Sequence, residues 1–228
     1  MKPLSPFIKN IIWALPLYVL VPIPFIYLAH FVELELDSYP ILLGALGWWG
    51  ALILRIPIIL LIQKRDVKMQ TASKITIGIS GLAEEIVRLF VLLIIGLNTN
   101  NAFAVGLGWA SIEIVYGLIQ IIGLAVLDNK TDAKAQEAKA LMKQMGMDKT
   151  LSSSVPFWGA LERVSASALH IGFSLLLVVN PYSVIITIPV HSLVNFFVVN
   201  MNKRSIGKAQ LGLLIIGSAI LLLSLALL

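Results

Sequence analysis

Seven runs of about 20 apolar residues, at roughly 8–31, 40–62, 75–97, 102–127, 156–178, 181–200 and 210–228, leave little of this chain for anything but a membrane. A crossing of the ~30 Å hydrocarbon core needs about 20 such residues in a helix. Inside it every backbone N–H and C=O must find a partner within the protein. The expected fold class is therefore all-α, a polytopic transmembrane helix bundle in which residues 1–228 form a single integral membrane domain. Composition excludes a soluble fold of this length: 58% of residues are hydrophobic and 13% charged, with mean hydropathy +0.93, against about 45–50% and 25% in soluble domains. With no cysteine, there is no disulfide framework, thiolate metal site or cysteine nucleophile. Pro16, Pro22 and Pro24 predict a kinked first span. That span lacks a small-residue cleavage site and reads as retained, not as a signal peptide.

A net charge of +5 would suit nucleic acid, but its placement argues for the lipid bilayer and against nucleic acid. Apart from Arg55, Arg88 and Arg163, each of the 17 basic residues lies before the first span or in or beside the second, fourth and sixth connections. Examples are Lys2 and Lys9, Lys64 and Arg65, Lys130 to Lys149, and Lys203 and Arg204. The alternate connections carry none, and the first of them carries Glu33, Glu35 and Asp37. The positive-inside rule then places the N-terminus in the cytoplasm and the C-terminus outside, in the cytoplasmic membrane of a prokaryote. In the long connection 128–155, a helix from Asp132 to Met145 alternates small apolar residues with lysines. It reads equally as a leaflet-bound helix or as a solvated linker.

The ionisable residues inside the spans carry the functional signal. An ionised group at the bilayer centre costs at least ~2.5–3.5 kcal/mol on insertion scales, so such groups pair or line a polar cavity. Here they are Arg55, Glu84, Glu85, Arg88, Glu113, Glu162 and Arg163, joined by His170, His191 and Asn195. Glu84, Glu85, Glu113 and His191 fall about ten residues into their spans, and His170 about one turn off centre, so different helices deliver them to nearly one depth. Glu84 and Arg88, spaced i,i+4, are expected to pair on one helix face. His191 and Asn195 share that spacing and point into one cavity. Glu162 lies two turns from His170 on the same wall, with Arg163 turned about 100° away. Arg88, Glu162 and Arg163 read as structural ion-pair residues and Arg55 as a brace. Gly44, Gly47, Gly50, Gly106 and Gly108 permit close helix packing.

Two neutral histidines and a carboxylate make a familiar zinc set with an open position, beside which a second glutamate can take a proton from water. Without metal, a glutamate can activate water directly while histidine and asparagine stabilise the oxyanion. Either scheme hydrolyses a peptide bond inside or at the edge of the bilayer.

The segments Gly81-Leu-Ala-Glu84-Glu85-Ile-Val-Arg88, Gly106-Leu-Gly-Trp-Ala-Ser-Ile-Glu113, Glu162-Arg163 followed by His170, and His191-Ser-Leu-Val-Asn195 resemble, in order, the motifs of the PrsW and YhfC groups of intramembrane metalloproteases. These are related to the CAAX-processing and bacteriocin-processing proteases. The resemblance covers residues 75–200. It implies an intramembrane peptidase with Glu84 or Glu85 as the water-activating base and Asn195 as the oxyanion or orienting group. Glu113, His170 and His191 are implied as ligands of a zinc ion, or as water holders if no metal is used. The implied partner is a membrane-embedded peptide or protein substrate. Arg88 stands where PrsW-like sequences usually carry lysine, and Trp109 where YhfC-like ones often carry histidine. Two readings stand beside the peptidase: a catalytically inactive scaffold that binds a client helix, and a proton- or cation-coupled transporter.

Overall fold

The computed structural model describes residues 6–65, 67–144 and 155–228, so Lys2, Met145 and Lys149 lie outside the described residues. Its elements are helices: α1 Pro6–Leu20, α2 Pro22–Phe31, α3 Ser38–Lys64, α4 Met69–Ile95, α5 Thr99–Asn129, α6 Ala133–Gln144, α7 Val155–Val179, α8 Val184–Arg204 and α9 Ile206–Ala226. A single turn of 3₁₀ helix, Pro181–Ser183, leads into α8. No strand occurs among the described residues.

The first span is broken, not merely kinked. Pro22 and Pro24 have no N–H to offer the carbonyls one turn back, and the chain turns at Val21, whose N–H reaches only to Tyr18 O at 3.4 Å. Short polar caps begin α3 and α5. The Asp37 carboxylate accepts the Tyr39 N–H before α3, and the Asn98 side chain accepts the Asn101 N–H before α5. Gly96, at φ 102°, ends α4 in a conformation open to glycine.

Six segments are long and apolar enough to cross a membrane among the described residues: Pro6–Phe31, Ser38–Lys64, Thr99–Asn129, Val155–Val179, Pro181–Arg204 and Ile206–Ala226. This is an integral membrane protein. The third expected run, now α4, is 27 residues long, roughly 40 Å at ~1.5 Å per residue. Lys74, Glu84, Glu85 and Arg88 lower its apolarity, and the last three are buried against the bundle.

Helix α7 is the centre of the bundle. It packs against α5 on one side and α9 on the other, with α3 beyond α5, while α4 lies against α3 and α8. Residues Ser167 to Leu175 of α7 are buried without interruption. Its buried serines turn their hydroxyls back on their own helix, Ser165 to Leu161 O at 2.9 Å and Ser174 to His170 O at 2.9 Å, and so need no outside partner.

Glycines let the backbones come this close. A Cβ on Gly44 would overlap the Val105 carbonyl, and one on Gly108 the Ile41 carbonyl, across the α3–α5 crossing. Gly106 meets Ile171 of α7 in the same way, and Gly81 of α4 meets Ile188 and Ser192 of α8. Gly50, also expected to be a packing glycine, has only the Val87 side chain at ordinary distance.

A side chain at Gly108 meets main chain, which cannot rotate aside. Gly108→Val is therefore expected to lower stability by at least the ~1–3 kcal/mol of ordinary overpacking. Gly123→Ala, where nothing lies within 4 Å, should leave it unchanged, as read by thermal unfolding in detergent micelles.

Candidate active site and metal centre

Adjacent positions on a helix point about 100° apart, and α4 uses this to send two carboxylates in different directions. Glu85 is fully buried and pairs with Arg88 one turn on, Oε1 to Nη1 at 2.5 Å. Glu84 turns instead to α3 and α5. Its Oε1 accepts Arg55 Nη2 at 2.5 Å, and its Oε2 accepts the Trp109 indole N–H at 3.2 Å. The expected Glu84–Arg88 pair is thus replaced by two others. Arg55, a long side chain from a neighbouring helix, reaches Glu84, and that leaves Arg88 to the carboxylate at i−3.

Arg88 has no exposed surface. Its guanidinium lies over the Trp109 ring at 4.6 Å from the centroid, and its Nη2 donates to His170 Nδ1 at 2.9 Å. A guanidinium can only donate, so His170 Nδ1 is the acceptor and its Nε2 carries the proton, given to Glu113 Oε2 at 2.6 Å. On α8, His191 Nδ1 faces Glu85 Oε1 at 2.7 Å. A neutral His191 places its proton there and keeps the Nε2 lone pair, which faces Glu84 Oε2 at 3.6 Å.

The outer part of the network is ionic. Arg163 bridges Glu113, at 2.8 Å from Nη1 to Oε1, and its neighbour Glu162. The expected 100° offset between residues 162 and 163 is spanned by the length of the arginine side chain, and both residues line the same cavity. Glu162 Oε2 also accepts Gln210 Nε2 of α9 at 2.8 Å. Asn195 donates through Nδ2 to Ser80 Oγ at 2.8 Å, and the Ser80 hydroxyl donates to Ile77 O at 2.7 Å.

These residues border a cavity of about 300 Å³. Glu84, Glu113, His170, His191, Asn195, Glu162 and Arg163 line it, as do Arg55 and Ser80, while Glu85 and Arg88 stand behind its wall. The set named from the sequence is therefore brought together, with α4, α5, α7 and α8 each contributing. Sequence reasoning missed Ser80, Gln210 and the part played by Trp109. Ser80 carried one signal, its place four residues before Glu84 on the same helix face. Gln210 carried another, as an amide at the start of an otherwise apolar helix.

Glu84, His170 and His191 each offer a ligand atom, all within 4.8 Å of one another and all buried. The sequence-based ligand set had Glu113 in place of Glu84. In the structure Glu113 is engaged by Arg163 and His170, and Glu84 stands beside His191. Two ligands ~2.0–2.1 Å from a tetrahedral ion lie roughly 3.3–3.4 Å apart, close to the 3.6 Å between His191 Nε2 and Glu84 Oε2. With both imidazoles neutral the charges agree: the four carboxylates Glu84, Glu85, Glu113 and Glu162 are matched by three guanidiniums, Arg55, Arg88 and Arg163. That leaves an excess negative charge in a low-dielectric site for a cation to offset. The donor set fits a divalent ion such as zinc.

A helical membrane bundle with carboxylates, histidines and an amide around one cavity defines a membrane protein with a polar site among its helices. The chain belongs to the YhfC intramembrane metalloprotease family, whose model matches residues 17–216. No curated protein and no solved structure matches it. Membership implies peptidase activity within the membrane and a metal to support it.

Removing Arg88 would leave Glu85 ionised and almost unpaired in the core. Arg88→Ala is expected to cost about 3–5 kcal/mol, the range for breaking a buried pair, and Arg55→Ala, at the cavity wall, distinctly less. Unfolding in detergent of the two variants side by side checks the order.

Proposed function

We propose that this protein hydrolyses a peptide bond of a membrane-associated protein or peptide, at the cavity into which Glu84, His170 and His191 converge. The single observation behind this is the meeting of their ligand atoms, from three helices, within 4.8 Å of one another. In this reading α4 is a seventh span, the membrane is the cytoplasmic membrane of a prokaryote, and the basic connections support an N-terminus on its cytoplasmic side.

Glu84, His170 and His191 would hold a divalent ion, which supplies Lewis-acid polarisation of a carbonyl or water oxygen. His191 is prepared for this by Glu85, which holds the Nδ1 proton and leaves Nε2 free. For His170 the atom to be freed is Nε2, because Nδ1 faces a guanidinium that can take no proton. The Nε2 proton would leave to solvent by way of Glu113 Oε2, 2.6 Å away, so that Glu113 is again a carboxylate.

Glu113 is the cavity-facing carboxylate left over, held at Oε1 by Arg163. It takes the proton of the attacking water and returns it to the departing amine. Asn195 gives one Nδ2 hydrogen to Ser80, and the other serves the substrate carbonyl oxygen as it gains charge. In this reading Glu84 and Glu113 exchange the roles that the sequence-based assignment gave them.

A second reading is favoured by one observation. Arg55 and Trp109 already satisfy both Glu84 oxygens, so Glu84 can stand as a carboxylate base without an ion. Metal content separates the two. Purified protein is expected to carry close to one zinc per chain, lost in His191→Ala and reduced in Glu84→Gln. Protein that cleaves with no bound metal supports the metal-free scheme.

In liposomes with a membrane-anchored peptide, both substitutions should lower cleavage by ~10²-fold or more while leaving the melting temperature near that of the parent. Full activity in both would overturn the site.

A further inference from the structure

The cavity lies on one side of the carboxylate–histidine cluster. On α4 its lining residues Thr76, Ile77 and Ser80 precede Glu84, and on α7 Glu162 and Ala166 precede His170. On α8 the order reverses, with Asn195, Val198 and Val199 following His191. α4 and α8 are antiparallel neighbours, since His191 meets Glu85 while Phe196, later on α8, meets Gly78, earlier on α4. All three stretches therefore lead to the same end of the bundle, the end carrying Lys68 and Lys74 before and on α4 and Lys203 and Arg204 at the close of α8.

Exposure rises along the way. Side chains are 3% exposed at His191 and 8% at Glu84, but 23% at Glu113 and 25% at Glu162. On the far side of the cluster, buried Leu92, Phe173 and Leu177 fill the space, and none of them lines the cavity.

From Glu84 to Thr76 is eight residues, about 12 Å of helix. An extended chain, at ~3.3 Å per residue, covers the same depth with about four residues. Its lining mixes apolar Ala166, Leu169, Val194, Val198 and Leu213 with the hydroxyls of Thr76 and Ser80 and the Asn195 amide.

We infer that an apolar substrate segment reaches the site from the basic, cytoplasmic end of the bundle, and that the bond cut lies about 12 Å from that entrance. This rests on the hydrolase reading of the site.

The chain contains no cysteine, so single cysteines report access directly. Thr76→Cys and Val198→Cys, in right-side-out and inverted vesicles, are treated with a membrane-impermeant maleimide. Lys203→Cys marks the basic end and Ser38→Cys the opposite one. Both cavity cysteines should label from the side that labels Lys203→Cys, and that side should be the cytoplasmic one. Labelling from the Ser38→Cys side, or none from either side while Lys203→Cys reacts, overturns the route.

In a cleavage assay, maleimide on Val198→Cys should reduce turnover of the membrane-anchored peptide more than tenfold, and maleimide on Ser38→Cys should leave it unchanged. Turnover that survives a fully labelled Val198→Cys overturns the inference. An unmodified protein that labels as expected but cleaves nothing sinks the hydrolase reading and leaves the access route standing.

Discussion

Arg88 can neither lose its charge nor reach water, so the helices around it must supply what water would. Glu85 gives it a counter-charge at 2.5 Å, His170 gives an acceptor, and Trp109 lays its ring against the guanidinium. Each comes at a fixed position on a different helix or turn, so the register of α4 against α5 and α7 follows from satisfying one side chain. A shift of α4 by a single residue would turn Arg88 about 100° from these partners. In hydrocarbon such a buried, unpaired ion costs far more than any packing gain could return.

The same satisfaction of charge prepares the site. Because Arg88 can only donate, His170 is left with its proton on Nε2, against Glu113. Because Glu85 shares its Oε1 between Arg88 and His191, the lone pair of His191 is turned toward Glu84. Residues behind the wall thus set the protonation pattern of those that line the cavity. Arg163 and Arg55 hold Glu113 and Glu84 from the opposite side, so the carboxylates stay in place without a substrate. Trp109 adds a donor to Glu84 where a histidine would have offered a possible ligand. The group of converging donors has three members, as many as the resemblance implied, with Glu84 in the place of Glu113.

Much of this was legible in the sequence, because the bilayer is a demanding solvent. Apolar runs of spanning length could be nothing but helices, and charges inside them had to converge. Their depth along each run placed Glu84, Glu85, Glu113, His170 and His191 at one level, and the structure brings those residues together around one cavity. Glycines at 44, 106 and 108 marked the close crossings for the same reason, that only a missing Cβ lets two backbones meet, while Gly47 makes room for the Trp109 ring.

Which charge meets which was decided by the tertiary structure alone. Helical spacing offered Glu84 to Arg88, but Arg55 arrives from α3, a contact that no local pattern encodes, and the pairing moves by one residue. The reach of Arg163 to Glu113 and the hold of Ser80 on Asn195 likewise depend on how neighbouring helices cross. The sequence by itself determined that this chain is a helical membrane bundle with a polar, charged interior at mid-depth. The assignment of each proton and each ion pair, and the end at which the cavity opens, came from distances between helices, because hydrogen bonds and ion pairs act over a few ångströms that only packing sets.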